Sequence, residues 1–192
     1  MTQPPARALK VIKIGGGLAT MPGALDRVCR AIAVAGSRHS ILVVPGGGPF
    51  ADTVRQFDRS PGMSPDAAHW MAILGMDQYA HVLVERIPGA VLMEDPGALS
   101  DQPQPGSVAV LAPSRWMRAA DVLPHSWEVT SDSIAAFVAG ALDAACLILI
   151  KPVTNQREEV VDSYFDTALP RGMPCSVIGC DQLDELSQRL SG

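Results

Sequence analysis

Ile41-Leu42-Val43-Val44-Pro45-Gly46-Gly47-Gly48-Pro49-Phe50-Ala51-Asp52 joins a continuous apolar run to an amphipathic one through three consecutive glycines. The apolar run reads as a buried strand and the segment after the glycines as a helix with Val54 and Phe57 turned inward. Near the N-terminus the pattern recurs, with Leu9-Lys10-Val11-Ile12-Lys13-Ile14 running into Gly15-Gly16-Gly17. Pro22 then opens a helix in which Leu25, Val28, Cys29 and Ile32 follow the i, i+3, i+4, i+7 spacing, closing near Gly36. Two strand, glycine loop and helix units in succession imply parallel strands joined by right-handed crossovers. Glycines at such points let the backbone approach a ligand closely, and the amides at the following helix start favour anions. Two such loops on one sheet suggest a phosphate cradle; tight turns in an ordinary doubly wound sheet are the competing reading.

Further along, Ser64-Pro65-Asp66 starts a helix that runs to about Arg86 and is apolar over most of its circumference, interrupted by His69, Asp77, Gln78, His81 and Glu85. Such a helix is either sandwiched in the core or used at a subunit interface, and the interface is the favoured reading. Short strands are expected at Ala90–Met93 and Ser107–Ala112, with a proline- and glycine-rich loop from Asp95 to Gly106 between them. Ile134, Phe137, Val138 and Ala141 again have helical spacing, Ala145–Ile150 reads as a strand covered on both faces, and a polar segment from Thr154 to Asp166 precedes a last strand at Cys175–Ile178 and a last helix at about Asp181–Leu190.

With 192 residues, 47% of them hydrophobic, the chain fits one domain with a real core. A net charge of −5 argues against nonspecific binding to nucleic acid or acidic membranes. Cys29, Cys146, Cys175 and Cys180 lack the paired spacing of a zinc site and are expected to be buried thiols in a reducing compartment. Neither a signal peptide nor a stretch of about 20 apolar residues is visible, so a soluble cytoplasmic protein is expected.

The dinucleotide pattern GxGxxG, the Walker A pattern GxxxxGK and the nucleophile pattern GxSxG are all absent. Lysine occurs only at positions 10, 13 and 151, against twelve arginines, which draws attention to each ammonium. Lys13 lies two residues before the first glycine loop and can reach the same space as the loop amides. Asp132, near the start of a helix, either complements the helix dipole or positions a lysine or a metal-bound nucleotide. Lys151, at the end of a buried strand, either snorkels at the sheet edge or faces the ligand crevice. His69 and His81 read as packed or interface residues. Trp116, His125 and Trp127 could together hold a flat ring, with core packing of the two tryptophans the alternative.

Val11-Ile12-Lys13-Ile14-Gly15-Gly16-Gly17, Val43-Val44-Pro45-Gly46-Gly47-Gly48 and Thr130-Ser131-Asp132-Ser133-Ile134-Ala135-Ala136 resemble, in the same order, the three main motifs of the amino acid kinase superfamily. Within it, Ala68-His69-Trp70-Met71-Ala72, Met76-Asp77 and the run from His125 to Ser133 are similar to the methanofuran-biosynthesis branch, [5-(aminomethyl)furan-3-yl]methyl phosphate kinase and its methylotroph relatives. The resemblance implies an α/β fold, a three-layer α/β/α sandwich with a mostly parallel central sheet. It implies a single domain over residues 1–192, with about 9–143 binding phosphate and acceptor and about 144–192 forming a shortened nucleotide-binding part.

It also implies transfer from ATP, with Mg²⁺, to a small-molecule phosphomonoester, giving a diphosphate, in a homo-oligomer with no nucleic-acid or membrane partner. Lys13, Asp132 and Lys151 are the implied catalytic residues, Gly15, Gly16 and Gly17 the nucleotide-phosphate loop, and Gly46, Gly47, Gly48, His125 and Trp127 the acceptor site; no protein metal ligand is assigned. The chain departs from the family after Ile150, where Lys151-Pro152-Val153-Thr154-Asn155 replaces a Thr-Asp-Val-Asp-Gly type segment, and no Gly-Gly-Met-x-x-Lys segment follows. Lys151 then either substitutes for the missing second lysine, or the chain is a noncatalytic binding or partner subunit. A kinase for another phosphorylated alcohol, such as isopentenyl phosphate, is the third alternative.

Overall fold

The computed structural model describes residues 9–60, 62–97, 106–152 and 161–191. Six strands, β1 (Lys10–Ile14), β2 (Ile41–Pro45), β3 (Val91–Met93), β4 (Val108–Leu111), β5 (Cys146–Lys151) and β6 (Cys175–Gly179), form one sheet in the order β3-β4-β2-β1-β5-β6. Every pairing is parallel. The helices are α1 (Ala24–Gly36), α2 (Gly48–Asp58), α3 (Pro65–Arg86), α4 (Ser114–Ala120), α5 (Ser131–Ala141), α6 (Phe165–Ala168) and α7 (Leu186–Ser191), with 3-10 turns at Gly16–Thr20 and Leu183–Glu185. The expected sandwich is therefore the fold, and all six expected strands are present. The middle of the expected loop after Asp95 and most of the polar segment after Thr154 lie outside the described residues.

Each face of the sheet carries its own core because strand side chains alternate. Ile12, Ile14, Val43, Ile148 and Ile150 point into a cluster with Leu25, Val28, Cys29 and Ile32 of α1 and Leu186 and Leu190 of α7. Val11, Leu42, Val44, Leu147 and Leu149 point the other way, into a cluster with Ile134, Ala135 and Val138 of α5, Met117 of α4 and Phe165 of α6. Each fully buried aliphatic side chain contributes about 1.5–3 kcal/mol. Truncating one, for instance Ile12→Ala, costs about 2–5 kcal/mol because the layer cannot collapse onto the gap.

Helix α3 begins as its sequence predicts, with Ser64 Oγ accepting from the Ala67 amide at 3.2 Å and Pro65 in the first turn. Ile73, Met76, Tyr79 and Leu83 are buried, while Met71, Leu74, Gln78, His81 and Glu85 form an exposed stripe. The helix is thus neither sandwiched nor covered along that stripe within one chain. Phe57 is a departure from expectation, being exposed rather than inward. Helix α2 packs against α3 so tightly that a Cβ on Gly75 would lie 2.9 Å from the Ala51 amide, and this contact turns Ala51 and Val54 inward, leaving Phe57 on the outer flank. Among the described residues no helix is long and apolar enough to cross a membrane.

Candidate active site

In a parallel sheet, ligands gather at the carboxyl ends of strands where the order reverses direction. Here that point is β1: the chain proceeds from it to β2 and β4 on one side and returns to β5 on the other. Both glycine loops leave this edge, after β1 and β2. The same edge opens into a cavity of about 490 Å³ reached by Lys13, Gly16, Gly17, Gly47, Gly48 and Lys151.

The strand period explains why the two lysines meet. Lys13 shares the α5-facing side of β1 with Val11, and Lys151 shares that side of β5 with Leu147 and Leu149. Lys13 pairs in register with Leu149, so Lys151 stands two residues nearer the carboxyl edge on the neighbouring strand. Asp132, in the first turn of α5, lies between them, with Oδ1 2.8 Å from Lys13 Nζ and Oδ2 accepting a hydrogen bond from Lys151 Nζ at 2.5 Å. Lys13 is 3% exposed and Asp132 4%, so the bridge is shielded from water.

Burial alone would raise the Asp132 pKa, but the two ammonium groups outweigh it and hold the carboxyl below its ordinary value. Burial, joined by repulsion from Lys13, pushes Lys151 down from 10.5 to about 8, against the pull of Asp132. With both lysines charged the bridge carries one net positive charge in a low-dielectric setting, which is a receptor for anions.

The two glycine loops pack backbone on backbone. A Cβ on Gly16 would stand 2.3 Å from the Gly48 amide nitrogen, and Gly48 itself has φ +54°, so both positions require glycine. The first glycine of each loop is committed to the sheet: the Gly15 N–H donates to Ile150 O and the Gly46 N–H to Ile14 O, both at 2.8 Å. Neither lines the cavity, so the cradle consists of Gly16, Gly17, Gly47 and Gly48 rather than two full triglycines.

The opposite wall of the cavity comes from α2, α3 and the segment before α5. Trp127 is fixed by its Nε1–H donating to Asp58 Oδ2 at 2.9 Å and by the Arg55 guanidinium 4.6 Å above the ring. His125 has Asp66 Oδ1 2.6 Å from Nδ1 and Asp121 Oδ1 2.9 Å from Nε2. Carboxylates only accept, so this geometry calls for a proton on each ring nitrogen. Accordingly the hydrogen bond to Asp66, aided by Asp121, raises the His125 pKa above its ordinary value despite burial. His69 stacks on it with ring centroids 4.1 Å apart, and burial together with the charge on His125 lowers His69 to about 4, leaving it neutral.

Of the expected aromatic cluster, His125 and Trp127 do line the cavity, but Trp116 stacks on Phe137 at 5.3 Å and takes no part. Both His125 nitrogens are already engaged, which makes it a brace for the loop rather than a free hydrogen-bonding group. Among the described residues no group of histidine, cysteine and carboxylate side chains is placed to hold a metal ion. The thiols of Cys29, Cys146 and Cys180 are buried as expected, whereas Cys175 is exposed; all four are free.

The sequence profile of the amino acid kinase family matches residues 8–155, a span that holds both glycine loops, Asp132 and both lysines. The chain belongs to this family. Over 179 residues, 93% of this chain and 78% of its relative, it is 27% identical to the [5-(aminomethyl)furan-3-yl]methyl phosphate kinase of Methanocaldococcus jannaschii. Among solved structures it is similar to the uridylate kinase of Archaeoglobus fulgidus, with a TM-score of 0.71 at 16% identity and 96% of both chains covered. The UMP kinase of Ureaplasma parvum gives 0.70 at 14% identity with 95% of both chains covered. At those identities the structural likeness speaks for the fold alone.

Asp162, Asp58, Arg55, Asp66 and Asp121 were not singled out in the sequence. Most act across a long separation, 29–32 residues for Asp162 and 59 for the His125–Asp66 contact, whereas Asp121 lies only four residues before His125. No periodicity marks such pairs. Asp58 and Arg55, three residues apart on α2, and Asp121, four residues before His125, carried a weak signal.

Proposed function

We propose that this chain catalyses phosphoryl transfer from ATP to a small phosphorylated alcohol, with an aminomethylfuran-methyl phosphate as acceptor and the corresponding diphosphate as product. The observation that carries this reading is the Lys13–Asp132–Lys151 bridge facing both glycine loops across one cavity. The likeness to the Methanocaldococcus jannaschii kinase supports the choice of acceptor.

A phosphomonoester has its second pKa near 6, so at neutral pH its oxygen is already an ionised nucleophile and needs no general base. The obstacle is instead repulsion between two anionic groups brought into line. Lys13 and Lys151 answer it with two ammonium groups, and Asp132 lets both stay charged in a buried place. Gly16 and Gly17 approach the donor phosphates, Gly47 and Gly48 at the start of α2 approach the acceptor phosphate, and Trp127 forms a wall for the acceptor's ring. As the new P–O bond forms to an acceptor phosphate oxygen, the bond from the γ-phosphorus to its bridging oxygen breaks and ADP leaves. Mg²⁺, when bound, adds neutralising charge on the donor phosphates.

The test is ADP release on mixing the protein with ATP, Mg²⁺ and the aminomethylfuran phosphate. Turnover well above that of a Lys13→Ala control is expected, and its absence would overturn the proposal. Calorimetry adds a second arm: acceptor binding without any nucleotide binding would instead identify a noncatalytic subunit.

A further inference from the structure

Asp162 lies far from Asp132 in sequence yet its carboxylate holds the same turn of helix. Oδ2 accepts from the Thr130 amide at 3.0 Å, the Thr130 hydroxyl at 2.7 Å and the Ser133 amide at 3.0 Å, and Oδ1 accepts from the Ser133 hydroxyl. Thr130 occupies the N-cap of α5 but its own side chain caps nothing. The acid that normally belongs to the cap residue is supplied from 32 residues downstream, and its charge also suits the positive end of the helix.

The bonded positions, 130 and 133, bracket Asp132. Fixing the amides on both sides of that residue fixes where its carboxylate points, and the carboxylate in turn sets both ammonium groups. Lys151 and Asp162 moreover stand at the two ends of one connection, and both ends are tied to the first turn of α5, one through Asp132 and the other through Thr130 and Ser133. We propose that Asp162 is a positioning residue of the transfer centre, setting the first turn of α5 so that Asp132 bridges Lys13 and Lys151. The inference rests on the phosphotransfer reading for its kinetic consequences, but its geometric core does not.

The experiment exploits the rarity of lysine: only Lys10, Lys13 and Lys151 are present, so ¹³Cε resonances of labelled lysine can be assigned by substitution and followed with pH. Asp162 is not among the groups that shift Lys151, and S133A, which loosens the same turn with no change of charge, separates the mere loss of the Asp162 charge from a movement of the bridge. D162N keeps the side chain's size but removes the charge and leaves one acceptor oxygen where the carboxylate had two, so the contacts to Thr130 and Ser133 cannot all persist as they are. The Lys151 titration is expected to move below its wild-type position, because a turned-away Asp132 no longer favours the ammonium while burial persists. In turnover, kcat should fall about tenfold to 100-fold with little change in KM, the scale of an approximately 1 Å misplacement. D162E should restore part of both.

If D162N lowers the melting temperature while leaving the Lys151 titration at its wild-type position, Asp162 is a helix cap only and the proposal is wrong. A rise of the Lys151 pKa toward 10.5 would overturn it too, since that reports general hydration of the site. Should D162N not fold, S133A removes one hydroxyl donor and carries the same readouts. If no acceptor is turned over by the wild-type protein, the phosphotransfer reading fails while the lysine titration still decides the role of Asp162.

Discussion

Replacing Lys151 by methionine should make the folded protein more stable and the site inactive. Burial and Lys13 together push the Lys151 ammonium from 10.5 to about 8. At about 1.4 kcal/mol per pH unit, carrying that proton costs the folded state about 3 kcal/mol below pH 8. The side chain is only 12% exposed, so solvent screening removes little of this. Methionine is similar in length, fills the volume without charge, and leaves Asp132 paired with Lys13. The folded pKa lies below the unfolded one, so between pH 8 and 10.5 the unfolded chain binds more protons and wild-type stability rises with pH. Urea unfolding at pH 7 should therefore show K151M more stable by up to about 3 kcal/mol, and by pH 10 most of that advantage should be gone. In parallel, kcat/KM of the wild type should decline as pH rises through about 8, where Lys151 loses its proton in the free protein. K151M itself should lose about 100-fold to 1,000-fold in kcat, as expected on removing one preorganised charge from the transition state. A variant less stable than the wild type at pH 7, with a gap independent of pH, would refute the reasoning.

Gly16→Ala would place a Cβ 2.3 Å from the Gly48 nitrogen and 2.7 Å from its Cα, both rigid backbone atoms, so the loops must separate. A loss of about 1–3 kcal/mol and weaker nucleotide binding are expected, and unchanged melting and unchanged calorimetry would contradict the loop-on-loop contact. His125→Gln should flatten the pH dependence of stability. The folded His125 pKa is raised, so its contribution is fully present below the ordinary 6.5 and disappears as pH climbs through the elevated value. Unfolding curves of wild type and variant that stay parallel from pH 5 to pH 9 would show that the Asp66 and Asp121 contacts contribute nothing through charge.

Local signals carried much of this molecule into view. The apolar runs ending in glycine marked β1 and β2, and the place of Lys13 two residues before the first loop put its ammonium within reach of the loop amides. The first-turn position of Asp132 and the strand-end position of Lys151 were readable too, but each had two meanings. Only the register of β1 against β5, which local sequence does not encode, decides that both lysines face α5. The same limit explains the glycines. Sequence shows three equivalent residues in each loop, whereas the sheet's hydrogen bonding takes Gly15 and Gly46 out of the cavity. Trp116 and Phe57 went the other way, because which neighbour a helix meets decides whether an aromatic side chain stacks, lines a pocket or stays in water.

The departure after β5 has a physical counterpart in this arrangement. A site that brings two anions together needs a second cation, and a lysine on a separate later segment must be held there at a cost in conformational entropy. Placed on β5, Lys151 is held by a strand already paired on both sides, and Asp132 reaches it without moving away from Lys13. On the proposed phosphotransfer reading, Lys151 is the second cation of the site. The penalty is the depressed pKa: a cation fixed so deeply is easily neutralised until an anion arrives to hold its proton. Phosphate binding and full charge on Lys151 should then be coupled, so that proton uptake accompanies nucleotide binding near pH 8 and disappears in K151M.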